Sequence, residues 1–299
     1  MILRKRQLTG TTSSDVTIRE LQNRHLARVA AGEGFVLLKN EDSVLPIEKG
    51  SKIGLYGAGA QFTVKGGTGS GDVNERGSVS IYEGLMNAGY EITSKGWLSS
   101  YVSQYNEARL EWRDIILGKA TGNQGAHDAF SAYVNTPFVA PLGYHLDKEL
   151  ALNDGADTAI FVLRRVAGEG KDRSIEGDYL LSPGEKEQIS EVCECYKNVV
   201  LVINAGSVVD LGFTDEHDNI KGIILFVQGG QEGGNALGDV ITGAVTPSGK
   251  LTDSWAYDYY DYPSASTFSY LSGNTMQEDY NEGIYVGYRY FEAFNKPVR

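Results

Sequence analysis

The sequence predicts an α/β fold: a three-layer α/β/α sandwich with a mostly parallel sheet in a flavodoxin-like topology. Three observations lead there. The runs Ala159–Leu163, Asn198–Ile203 and Gly222–Val227 lack the polar alternation of a half-exposed strand. Strands read this way when both faces are covered, which is the condition of parallel strands under helices. The runs also alternate with stretches of helical period, and glycine-rich turns follow them.

In chain order, residues 1–14 are polar and expected to be flexible. Asp15 is placed to cap a helix through about Ala31, with Ile18, Leu21, Leu26 and Val29 as its apolar stripe. Gly32 and Gly34 end it, and Phe35–Leu38 reads as a short strand. Lys39–Pro46 is rich in turn residues. Lys52–Tyr56 is the first core strand. Ser80–Ala88 is a helix with Ile81, Leu85 and Met86 inward, and Tyr90–Thr93 is a second strand. Residues 97–119 have helical character. Residues 120–150, rich in Gly, Ala, Asn and Pro, read as a long irregular excursion, a class of loop often tied to function. Ser182 caps a helix from Pro183 to Tyr196. Gly229–Gly234 leads into the last regular helix, Asn235–Ile241, and the chain beyond 251 is irregular.

Composition narrows the partners. Lys and Arg number 27 against 39 Asp and Glu, a net charge of -12. Nucleic-acid phosphates would be repelled, so no nucleic-acid partner is expected. No run approaches the ~18 apolar residues of a membrane span, so no membrane partner is expected. The basic start, Met1–Arg6, lacks the apolar segment of a secretory signal, and a cytoplasmic location is expected. Cys193 and Cys195 sit one residue apart on a helix and point to different faces, so they are not set to bridge. His25, His127, His145 and His217 are scattered, so neither a metal site nor a cofactor is expected.

Two glycine-rich loops carry chemistry. Lys65–Asp72 could cradle phosphate with backbone amides. However, Lys65 precedes the glycines instead of following them, and Asp72 stands where a dinucleotide fingerprint needs its third glycine. A ligand-approach loop or a plain connection remains, with Ser70 or Asp72 offering hydrogen bonds to hydroxyls. The second loop leaves strand 159–163 at its carboxyl end, where open α/β sheets bind ligands. It carries Glu169, Asp172, Glu176 and Asp178, with Arg164, Arg165 and Arg173 as possible partners. Read alone, this fits either a solvated acidic surface or an acid/base site. Glu232 in the turn before the last helix reads as structural.

Taken together, these residues resemble the α/β-sandwich domain of glycoside hydrolase family 3. The resemblance rests on Ala30–Asn40 with Leu45–Pro46, Lys65–Gly71, Gly168–Arg173, Gly230–Asn235, Pro247–Leu251 and Gly283–Tyr290, in that order along nearly the whole chain. It implies part of a retaining β-glycosidase, β-glucosidase-like, acting on terminal β-linked sugars. In that family the sandwich lends a general acid/base glutamate across a crevice to a (β/α)₈ barrel that holds the nucleophilic aspartate. The Gly-Glu-Gly-x-Asp-Arg segment puts that glutamate at Glu169. The resemblance makes Ser70 a contact to a sugar hydroxyl; with Asp72 of the same loop and Arg173 it forms the expected substrate-binding set, and a β-linked glycoside and a barrel of the same polypeptide are the expected partners.

No barrel and no nucleophile motif occur in residues 15–299, which read as the sandwich domain with an incomplete C-terminal end. A methionine start before the first helix and the abrupt end at Arg299 fit a member with sandwich first and barrel last. Without its barrel the fragment is expected to be inactive, with Glu169 exposed to solvent. The rival readings are a non-catalytic α/β module that binds sugar or protein, and a nucleotide binder.

Overall fold

In the computed structural model the described residues are 15–67, 71, 73, 75–119, 125–166, 172–268, 276, 277 and 279–299. Six strands form one sheet: β1 (Val36–Asn40), β2 (Lys52–Tyr56), β3 (Glu91–Ile92), β4 (Thr158–Arg164), β5 (Asn198–Asn204) and β6 (Ile220–Leu225). Their spatial order is β1-β6-β5-β4-β2-β3, parallel throughout except for β1, which pairs antiparallel with β6. With the antiparallel edge set aside, the parallel strands run 2-1-3-4-5 in chain order. That is the flavodoxin-like arrangement the sequence predicts.

The unalternating runs lie where parallel-sheet burial puts them. Ala159, Phe161 and Leu163 of β4 join one apolar cluster with Leu201 and Ile203 of β5. Ile160, Val162, Val200 and Val202 join a second cluster on the opposite face. Burying each such side chain contributes on the order of 1.5–3 kcal/mol. Strand propensity spans only about 1 kcal/mol, so two-sided packing decides these elements. One face is covered by α2 (Ile81–Ala88) and α7 (Gly233–Ile241), the other by α5 (Lys148–Leu152) and α6 (Pro183–Cys195). Reciprocal capping boxes start two of these helices, Ser80 with Glu83 and Ser182 with Glu185. Each satisfies two otherwise orphaned amides.

The structure departs from the sequence-based expectations at four elements. The first helix, α1 (Ile18–Gly34), is capped by Thr17 and Glu20 in a capping box, two residues beyond Asp15. Its apolar stripe also faces outward, with Ile18 76% and Leu26 65% exposed and Leu21 and Val29 exposed as well. The inward face is polar and is held by charge: Arg24 pairs with Glu232 and Arg28 with Asp239 at 2.6 Å, both acids belonging to the α7 side. Met86 likewise points outward, at 39% exposure, while Ile81 and Leu85 are buried. β6 lies two residues earlier than the run 222–227 suggests, because the strand passes through the half-exposed Lys221.

The fourth departure is the 120–150 excursion, which contains a helix, α4 (Gly125–Asn135), against α3 (Lys95–Lys119), and leads into α5. Trp112 of α3 donates its indole N–H to the Thr136 carbonyl at 2.6 Å. The segment is tied to α6 by polar contacts: Gln188 donates to the Leu142 carbonyl at 2.8 Å. The buried carboxylate of Glu191 accepts from the Leu146 amide at 3.1 Å and meets His145 Nδ1 at 2.7 Å. Residues 1–14 and 120–124 lie outside the described residues.

Three outcomes test this packing. Helices α2 and α7 cross at glycines, and a methyl on Gly84 would overlap the Gly234 carbonyl. G84A is therefore expected to lower stability by about 3 kcal/mol in urea denaturation. Gly34 has nothing within 4 Å of an added Cβ, and G34A is expected to stay within about 0.5 kcal/mol of wild type or above it. His145 is held above the usual imidazole range by its hydrogen bond to Glu191, then by the charges of Glu191 and Glu187. Because its folded value is raised, its contribution to stability is present below the unfolded pKa and fades as pH rises through the folded one. An NMR titration is expected to show that upward shift, and E191Q is expected to abolish it.

Candidate functional site at the sheet reversal

The chain leaves β2 for β3 on one side and later returns to β4 on the other. At this reversal the loops after β2 and β4 part, and a crevice opens beyond the carboxyl ends of the two strands. Its volume is about 320 Å³, and its lining includes Gln61, Phe62, Lys65, Ser80, Tyr105 and Arg164. Gly57 makes the turn out of β2 at φ +90°, where a side chain would strike the Val162 backbone. This is a position that glycine alone fills without strain.

Buried polar anchors fix the roots of the loops. Asn204, fully buried at the end of β5, accepts from the Val64 amide at 2.6 Å. Its amide nitrogen donates to the carbonyls of Val64 and Val227, at 2.9 and 2.8 Å. One side chain thus joins the loop after β2 to the loop after β6. Val227 itself holds φ +54°, rare for a β-branched residue and a mark of local strain. The two loops also meet through backbone bonds from Gly230 to Lys65 and from Val79 to Gln231. Lys65 pairs with Glu75, whose carboxyl is lowered chiefly by that hydrogen bond.

The segment after β4 is pinned at both of its described ends. Arg165, 9% exposed, forms a two-bonded pair with Glu185 at 2.5 and 3.0 Å and donates Nε to the Asp178 carbonyl at 2.7 Å. Arg173 grips Asp178 Oδ1 with Nε and a terminal nitrogen, at 3.0 and 2.7 Å. It also donates to Ser207 Oγ at 2.6 Å and to the Val208 carbonyl. Both arginines therefore converge on Asp178 from either side of residues 167–171. Asp172 and Glu176 are exposed.

Of the residues expected to bind or react, Arg173 is described, and its guanidinium is engaged by Asp178, Ser207 and Val208. Glu169, Ser70 and Asp72 lie outside the described residues, and so does the expected exposure of Glu169. Two of the three arginines proposed as partners, Arg165 and Arg173, are taken by Glu185 and Asp178. Glu232 is structural, as its place in the sequence suggests, though it makes no capping bond to the backbone. Its carboxylate receives Arg24 and Asn235 instead. Asn204 was missed; the one available signal was a polar residue closing the apolar run 198–203. The stack of Phe62 on Tyr105, ring centroids 3.6 Å apart in the crevice lining, was also missed, because the two residues are distant in sequence. Among the described residues no group of three or more His, Cys, Asp or Glu could hold a metal ion, and no helix is long and apolar enough to cross a membrane.

Comparison with known proteins places this geometry. Residues 35–288 match the model of the glycosyl hydrolase family 3 C-terminal domain. The chain is 34% identical over 295 residues to β-glucosidase A of Butyrivibrio fibrisolvens, covering 88% of this chain and 32% of that protein. It is 35% identical over 283 residues to a β-glucosidase of Ruminococcus albus, covering 92% and 27%. Among solved structures, β-glucosidase 3B of Thermotoga neapolitana in complex with α-D-glucose superposes with a TM-score of 0.75 at 33% identity. That match covers 93% of this chain and 37% of the other. The chain thus spans about a third of the length of these relatives. The chain belongs to glycosyl hydrolase family 3, as a β-glucosidase-like C-terminal α/β domain.

Proposed function

We propose that this domain supplies the general acid/base carboxylate, Glu169, of a retaining β-glycosidase acting on terminal β-linked sugars. The observation that carries the reading is the double pinning by Arg165 and Arg173. The segment between them leaves the central strand at the sheet reversal, and a rigid frame on both sides suits a proton donor that must hold its position.

Retaining hydrolysis uses two carboxyl groups about 5–5.5 Å apart. One attacks the anomeric carbon, while the other protonates the departing oxygen and then takes a proton from the incoming water. In this reading Glu169 has the second role, and the nucleophile comes from a (β/α)₈ barrel of the same polypeptide. Ser70 and Asp72 offer hydrogen bonds to sugar hydroxyls from the glycine loop, and Arg173 serves the substrate by holding the loop frame. The outward apolar stripe of α1, Ile18, Leu21, Leu26 and Val29, supports a partner domain, since solvent is a poor neighbour for such a face. A donor must stay protonated until the substrate arrives. Burial against a second domain and a nearby carboxylate both favour that state, so the isolated chain lacks what the chemistry needs.

The test compares leaving groups. In the polypeptide that joins this domain to its barrel, E169A is expected to slow β-glycosides of poor leaving groups by about 10²–10⁴-fold, and those of activated phenols far less. Equal losses for both would remove Glu169 from the role. The 299-residue chain alone is expected to hydrolyse neither, and turnover by it that survives repurification would contradict the two-domain site.

A further inference from the structure

Asn204 ends β5, the strand between β4 and β6, and it is fully buried. The five residues before it, Val199 to Ile203, are buried and apolar, so packing alone would favour another apolar side chain here. Instead its amide group reaches loop backbone on two sides. It accepts from the Val64 amide at 2.6 Å and donates to the carbonyls of Val64 and Val227 at 2.9 and 2.8 Å. The backbone carbonyl of Asn204 accepts from the Arg165 amide at 3.0 Å, and Arg165 holds the Asp178 carbonyl at 2.7 Å. One buried residue thus meets the roots of the loops that leave β2, β4 and β6.

Two observations set this hub directly behind the crevice. Lys65, next after Val64, and Gly230, three residues after Val227, both line it, and a backbone bond of 3.1 Å joins them. Val227 also holds φ +54°. A β-branched residue keeps that conformation only where its surroundings impose it, and the Asn204 bond to its carbonyl is such a constraint. Without the side chain, one buried amide and two carbonyls lose their partners, and the loops must move to satisfy them. Gln188 is a matched contrast. Its buried amide donates to the loop carbonyls of Leu142 and Gly143 at 2.8 and 3.4 Å, from α6 and outside the crevice lining.

We propose that Asn204 is a positioning residue. It sets the glycine loop that carries Ser70 and Asp72 relative to the segment that carries Glu169, and so governs how tightly the sugar is held. The consequence for the sugar rests on the glycosidase reading. The holding of the loop roots does not.

Amide hydrogen exchange, followed by NMR in the 299-residue chain, tests the holding. The wild-type Val64 amide is expected to exchange as slowly as the amides of β5, and N204L is expected to speed Val64 and Gly230 by about tenfold or more. Q188L is expected to speed neither. N204D keeps an acceptor for the Val64 amide and loses both donated bonds, so it is expected to speed Gly230 more than Val64. In the polypeptide that includes the barrel, N204L is expected to raise KM by about tenfold or more. The ratio of its kcat values on poor and activated leaving groups is expected to stay at the wild-type value, and Q188L is expected to keep the wild-type KM. Fast exchange of Val64 in wild type, unchanged exchange in N204L, an unchanged KM, or an equal rise in KM in Q188L would overturn the proposal. Should neither Asn204 variant fold, the wild-type exchange of Val64 decides. An E169A enzyme with an unchanged leaving-group ratio would instead remove the acid/base reading, and the exchange results would still decide for Asn204.

Discussion

The reversal of the sheet at β2 is the constraint from which the site follows. A parallel strand must be re-entered by a crossover, and here the crossovers on either side of β2 run in opposite directions. Backbone cannot close the gap that results. Gly57 and Gly59 let the chain pass close over Val162, and the loops beyond them spread apart. The crevice is a product of topology, and the side chains lining it are then free to vary.

Charge and buried amide groups do what apolar packing cannot do at such a place. Loop backbone at a crevice carries amides and carbonyls that must be satisfied, and Asn204 joins two loops through three hydrogen bonds. Arg165 and Arg173 form an ionic frame on Glu185 and Asp178. Buried ion pairs add little net stability but are costly to break on one side, which makes them better at specifying geometry than at holding a fold together. The same logic reaches α1, which is docked by Arg24 and Arg28 and not by its apolar stripe. Amphipathy thus marks a surface to be covered without saying by what.

How much of this could be read from sequence depends on the range of the cause. Strands β4 and β5 were legible because two-sided burial writes itself as an unbroken apolar run. Two helix starts were legible because Ser80 with Glu83 and Ser182 with Glu185 are local signals. The orientation of α1 was not, since Arg24 and Glu232 are 208 residues apart. Helix α4 was hidden by a composition of small residues whose order comes from contacts with α3, such as the Trp112 bond to Thr136. The glycosidase motifs were legible as motifs, and they led to Glu169. The pairing of Arg165 with Glu185 and of Arg173 with Asp178 was not, because spacing alone does not say which arginine each acid serves.

The most direct measurement of the central idea, a proton donor framed at the sheet reversal and facing a pocket completed by another domain, is a crystal structure of the two-domain polypeptide. The ligand would be a non-hydrolysable aryl β-thioglycoside. The account expects the Glu169 carboxyl within hydrogen-bond reach of the glycosidic sulfur. A ligand seated away from the crevice, or a Glu169 side chain turned away from it, would contradict it.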